Sequence, residues 1–210
     1  MESYEIWDAR IADAATRLNF NEGYKILYVP WKTIGASDTV FLSLNPGRPP
    51  INAELCTLSD ERGNSYEVER AVTASPITAQ FLALAEMIQV QPGDILTGTA
   101  APFRSNRWKT LPLAQRRAAL EIGKEFWRQV FAEKLPRRVI ACCPEAAQMA
   151  NEILRAKPEM SIRSGWGETS LHRFRGNSGA LVAQIPHLST FKLLSRSECI
   201  EPLRSILDLR

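Results

Sequence analysis

Cysteine is scarce in this chain, and its spacing is wrong for metal binding. There are four, Cys56, Cys142, Cys143 and Cys199, and no Cys-x-x-Cys. That spacing excludes the usual zinc sites and the cysteine patterns that hold iron–sulfur clusters. A disulfide framework is also excluded in a chain of 210 residues with 45% hydrophobic content, so reduced and mostly buried thiols are expected. Long apolar runs are missing too: none approaches the ~20 residues a membrane-spanning helix needs. The first residues, Met1-Glu2-Ser3-Tyr4-Glu5, lack the basic-then-apolar order of a secretion signal. Histidine is limited to His172 and His187. One cytoplasmic domain over residues 1–210, a monomer without membrane partner, metal or cofactor, is the expectation.

Charge is present but unevenly placed. The net charge is +3, yet residues 1–103 carry 7 Lys and Arg against 13 Asp and Glu, and residues 104–210 carry 19 against 10. Such asymmetry fits a polyanionic partner, and it equally fits helices with solvated basic faces.

Strand-like and helix-like segments alternate. Tyr4, Trp7, Ile11, Ala14, Ala15 and Leu18 recur at helical spacing, which predicts a helix over residues 3–19. Residues 24–31 read as a short strand or extended arm, and residues 39–44 as the first core strand. Residues 48–74 are polar and irregular, with a turn centred on 60–64; so long a loop in a compact domain is usually functional or mobile. Ser75 as cap and Pro76 in the first turn predict a helix to about Val90. Residues 95–97 begin a second strand, and Pro112 opens a helix to about Lys134. Residues 137–142 make a third strand, and Pro144 starts a helix to about Arg155. Residues 169–175 and 180–185 flank Gly176-Asn177-Ser178-Gly179 as a hairpin, and a last helix covers 197–209. This alternation predicts an α/β protein, a three-layer α/β/α sandwich around a mostly parallel sheet.

The most informative stretch is Val40-Phe41-Leu42-Ser43-Leu44-Asn45-Pro46-Gly47. An apolar run stops abruptly at turn formers, as a buried strand does. The residue before proline is pushed to extended geometry, which holds Asn45 at the strand's carboxyl end. Ligands of open α/β sheets bind just outside such ends. A plain strand-to-loop turn explains the same residues. Two further segments follow strands: 99–108, with Phe103, Arg104, Arg107 and Trp108, and Pro186-His187-Leu188-Ser189. In a parallel sheet these three ends converge on one edge. His187 there is either a catalytic imidazole or a buried histidine bonded to a carbonyl.

These residues resemble the uracil-DNA glycosylase superfamily, in particular its mismatch-specific and single-strand-selective branches. A motif after the first core strand reads Gly-x-Asn-Pro-Gly in several branches, and Ser43-Leu44-Asn45-Pro46-Gly47 matches it apart from Ser43. A late motif reads His-Pro-Ser, and His187-Leu188-Ser189 stands in its place with leucine for proline. Ala101-Pro102-Phe103-Arg104 resembles a Pro-aromatic-Arg run of some branches.

The resemblance implies a DNA-base glycosylase that hydrolyses the N-glycosidic bond of a flipped, deaminated or damaged base, uracil or a relative, without metal. It implies catalytic roles for Asn45, which orients water, and His187, which donates to the base. It places Pro46, Thr99 and Phe103 in a base pocket of roughly pyrimidine size. Gly47, Arg48, Arg104, Arg107, Leu188, Ser189, Lys192 and Arg196 would contact DNA, with Leu188 or Phe191 as an apolar wedge. The chain departs from the family where an asparagine usually reads the base edge: Thr99 stands nearest to that position. Two other functions fit the same residues, a non-catalytic nucleic-acid-binding protein and an enzyme acting on a free nucleoside or nucleotide.

Overall fold

The computed structural model describes residues 1–47, 54–72 and 75–209. It is an α/β structure in which six helices accompany one six-stranded sheet among the described residues. The strands are β1 (Thr39–Ser43), β2 (Ile95–Thr99), β3 (Arg138–Ala141), β4 (Lys157–Arg163), β5 (Ser170–Arg175) and β6 (Leu181–Gln184). Their order across the sheet is β2-β1-β3-β6-β5-β4. The first four run parallel; β5 is antiparallel to β6, and β4 is antiparallel to β5. The predicted hairpin is β5–β6. No helix among the described residues is long and apolar enough to cross a membrane.

The helices are α1 (Tyr4–Arg17), α2 (Ser65–Arg70), α3 (Pro76–Met87), α4 (Leu113–Glu133), α5 (Pro144–Leu154) and α6 (Ser197–Ile206). Side chains of a strand point alternately to its two faces, and the core divides accordingly. Val40, Leu42, Leu96, Val139 and Val182 join a cluster with Trp7, Phe126, Trp127 and Ala150. Phe41, Ile95, Ile140, Leu181 and Ala183 join another with Tyr66, Phe81, Leu84, Leu203 and Ile206. Every residue of β1 and of β2 is buried; β1 accordingly carries the apolar run Val40-Phe41-Leu42, while β2 is apolar at Ile95 and Leu96 and continues with Thr97, Gly98 and Thr99.

Of residues 24–31, expected as a short strand or extended arm, residues 24–29 form an arm, and Trp31 opens a short 3-10 turn. The arm borders β2, bridging Leu27 to Gly98, with Tyr28 N donating to Thr97 O and Thr99 N to Ile26 O. It occupies the edge that β2 would otherwise leave open.

Three local differences have physical reasons. β4 falls in a stretch to which the sequence pattern assigns no element, because Pro158 and exposed polar residues interrupt its apolar pattern; it is an edge strand with a register shift beside Pro158. α2 lies inside a segment predicted as irregular. It has six residues and buries only Ser65 and Tyr66, too little periodicity to read, and Asn64 caps it by accepting from Tyr66 N. Ser75 occupies the cap position of α3, but its side chain makes no capping bond.

Gly123 sits in the middle of α4, where glycine costs about 1 kcal/mol relative to alanine. A Cβ there would collide with the carbonyl of Ala100, just beyond β2. The glycine lets α4 lie directly on the backbone that leaves the sheet. Gly123→Ala should destabilise the fold by about 1–3 kcal/mol despite its better helix propensity. Urea denaturation at equilibrium measures this; an increase in stability would show that the contact is slack.

Candidate functional site

Parallel pairing of β2, β1, β3 and β6 brings the segments after β1, β2 and β6 to one edge of the sheet. Asn45 follows β1, Arg104 and Ser105 follow β2, and His187 and Ser189 follow β6. All five line one cavity of about 840 Å³. The two residues expected to be catalytic therefore share a pocket. It is much larger than a single pyrimidine ring and falls in the range of about 300–1,000 Å³ usual for ligand sites.

The Asn-Pro-Gly turn is clasped to the loop after β2. Ala101 N donates to Leu44 O at 2.8 Å and Ser105 N to Pro46 O at 3.3 Å. Asn45 Nδ2 donates to Ser105 O at 2.9 Å and to Pro46 O at 3.0 Å. Two carbonyl acceptors require the amide's NH₂ side, so the orientation of Asn45 is settled by chemistry. Its Oδ1 has no partner among the described residues and is left as an acceptor.

His187 is half-buried, and burial lowers its pKa from the ordinary histidine value. Ser189 N points at His187 Nδ1 from 3.3 Å, and Ser189 Oγ lies 2.7 Å from the same atom. A backbone N–H can only donate, so Nδ1 is the acceptor and the neutral ring carries its proton on Nε2. A neutral imidazole with Nε2–H is a hydrogen-bond donor. Ser189, expected to contact DNA, thus orients His187.

The opposite wall comes from the arm and from the segment before α2, residues the sequence reading did not single out. Lys25 is buried; its Nζ donates to Asp60 Oδ2 at 3.0 Å and to Ser65 Oγ at 2.9 Å. Ser65 Oγ donates to Asp60 Oδ2 at 2.8 Å. Arg62 adds a two-pronged contact, Nε to Oδ1 at 2.8 Å and Nη2 to Oδ2 at 2.9 Å. Burial alone would raise the Asp60 carboxyl, but the bonds from Arg62, Lys25 and Ser65 and the charge on Lys25 hold it well below the usual range. Burial lowers Lys25, against the opposing pull of Asp60, and raises Glu69. Tyr28 and Tyr66 also line the cavity, packed edge to face with ring centres 5.4 Å apart. Tyr28 remains partly exposed, and Lys25 Nζ lies 5.3 Å from its ring centre. The one available sequence signal was Lys25 itself, a lone charge within an apolar arm.

Several expected site residues lie elsewhere. Thr99 is fully buried; its hydroxyl donates to Lys25 O and it does not line the cavity. Phe103 is a core residue stacked on Phe20 at 4.4 Å, and Pro46 is buried. Neither borders the cavity, so the expected base pocket of Pro46, Thr99 and Phe103 is corrected. Leu188 is fully buried among core residues and cannot wedge into a duplex; Phe191 is half-buried against Trp166. Gly47 is exposed at the cavity, and Arg107 is exposed outside it. Lys192 lines a separate groove along α3, and Arg196 covers the Trp166 ring at 3.7 Å. Arg48 lies outside the described residues.

The cysteines are placed as expected: Cys56 is exposed and the other three are buried. Burial pushes the Cys142 thiol up to about 12. Among the described residues no group of three or more His, Cys, Asp or Glu is placed to hold a metal ion. The chain matches no protein-family model and has no significant match among curated proteins.

Asp60→Ala leaves Lys25 buried without its counter-charge and should cost about 3–5 kcal/mol in urea denaturation, with Lys25→Met recovering part of the loss in the double variant. Because Asp60 has a depressed folded-state pKa, its contribution is full above the ordinary aspartate value of about 3.9 and is lost as pH falls below it. For His187, nitrogen NMR should show Nε2 protonated and Nδ1 bare at neutral pH, with a midpoint below about 6.5. Charging this ring favours the unfolded chain, so stability falls as pH drops through and below that value. A proton on Nδ1 at neutral pH would refute the assigned tautomer.

Proposed function

We propose that the protein hydrolyses the N-glycosidic bond of a nucleobase flipped into the Asn45–His187 cavity, as a divergent relative of the uracil-DNA glycosylases. The observation that carries this reading is the convergence of two groups on one pocket: an amide with a bare Oδ1 and a neutral imidazole with Nε2–H. The division of the core into two clusters, fed by alternate strand positions, supports the three-layer α/β/α arrangement of that family. DNA carrying a deaminated or damaged base is the substrate proposed.

The chemistry needs little more. As the bond from C1′ to the base nitrogen lengthens, its electron pair leaves with the base. Negative charge grows on the base oxygens, and His187 Nε2–H meets it with a hydrogen bond already in place. Asn45 Oδ1 accepts a hydrogen bond from water and aims the water oxygen at C1′. The amide is too weak to remove the proton outright. It positions the nucleophile for a carbon that has become electron-deficient; after the C–O bond forms the water's proton passes to solvent, and the departed base anion takes up a proton in its place. Tyr28, a half-buried ring in the cavity lining, is the aromatic group against which a base can stack.

A second reading, action on a free nucleoside or nucleotide, is favoured by the burial of Leu188 and by the acidic residues Glu54, Asp60, Glu61 and Glu69 around the cavity.

The test is release of free base from oligonucleotides containing uracil, with a panel of other lesions, and from the matching free nucleosides and nucleotides. Release from oligonucleotides, slowed about 10²–10³-fold by His187→Ala or Asn45→Ala, supports the first reading. Release from the free compounds alone supports the second. Salt-dependent DNA binding without any release identifies a non-catalytic binding protein and refutes the hydrolytic proposal.

A further inference from the structure

The cavity contains a cation that no carboxylate of the described residues pairs with. Arg104 is 6% exposed and lines the pocket. Its Nε donates to Leu55 O and its Nη1 to Gly47 O, each at 3.1 Å. These two carbonyls fix the plane of the guanidinium. Nη2 donates to no group among the described residues, and it is not sealed from solvent. Burial lowers the Arg104 pKa and the charge of Glu69 opposes that in part, although an arginine stays protonated at any working pH.

Of the four acids around the cavity, Glu54 is exposed. Asp60 is held by Lys25, Ser65 and Arg62, and Glu61 accepts from Ser59 Oγ and Trp31 N. Glu69 also faces this region, and burial raises its carboxyl. A buried guanidinium with two edges bound to backbone, and one edge without a partner among the described residues, is arranged to receive an oxyanion, and arginine suits phosphate by its planar fork. The volume beyond one base gives that anion room.

We propose that Arg104 forms a phosphate subsite within the cavity, so that the ligand is a nucleotide unit, base and phosphate together, rather than a nucleoside. This rests on the nucleobase reading of the same pocket and adds what the other end of the ligand is. The phosphate is either terminal, on a free nucleotide, or part of a strand.

Calorimetric binding of deoxyuridine, its 5′-monophosphate and its 3′-monophosphate to the full chain tests this. At least one monophosphate should bind about tenfold or more tightly than the nucleoside, the order expected of one charge-assisted contact. Arg104→Gln should remove that advantage, and Arg104→Lys, which keeps the charge, should retain part of it. Because Arg104 also holds two carbonyls, thermal unfolding of each variant accompanies the titration. Added salt provides a variant-free check, since the advantage should shrink as salt rises. Equal affinity for nucleoside and both monophosphates overturns the subsite and leaves the base pocket standing. An advantage that survives Arg104→Gln in a folded protein overturns the assignment to Arg104. Failure of all three compounds to bind at millimolar concentration, with no base released from oligonucleotides, overturns the nucleobase reading itself.

Discussion

The common direction of β2, β1, β3 and β6 is the constraint from which the site follows. Parallel strands must return through crossover connections, so their carboxyl ends and the loops that leave them collect on one edge. Residues near 45, 104 and 187 meet for that reason and no other. The long helices supply the crossovers, and the contact of Gly123 with the backbone after β2 ties one of them to the base of the site. β5, which runs the other way, and β4 beyond it extend the sheet on its far side and contribute no residue to the cavity.

A second layer of organisation is electrostatic. Lys25, Asp60, Ser65 and Arg62 join three separate pieces of chain: the arm, the turn before α2, and the start of α2. Such a buried pair is weak evidence for added stability, because desolvation opposes the attraction. Its value lies in specificity. A charged partner accepts few alternative positions, so the segment that forms the far wall has one place to sit.

Much of this was legible from residues alone. Val40-Phe41-Leu42 announced a central strand because burial on both faces demands an unbroken apolar run, and Asn45-Pro46-Gly47 announced its end. His187 at the close of a strand was legible as a partner for Asn45 once parallel order was assumed. The rest depended on distance in sequence. Nothing local joins Lys25 to Asp60, and a turn written Asp-Glu-Arg-Gly-Asn looks solvated until its partner is known. Thr99 and Phe103 misled for a related reason. Position after a strand places a residue near the edge, but the arm at residues 24–29 covers β2 and turns those side chains into the core. Leu188 likewise follows its strand closely enough to be claimed by the hydrophobic cluster.

The clasp around Asn45 also limits how this loop can evolve. Its NH₂ group faces the carbonyls of Ser105 and Pro46 at 2.9 and 3.0 Å. An aspartate in its place would set a negative oxygen against two acceptors inside a half-buried turn, where repulsion is poorly screened. The stronger base that a carboxylate would supply is thus one codon step away yet structurally distant, since both carbonyls would have to turn aside first. A lineage carrying this loop is held to an amide at this position by the backbone around it.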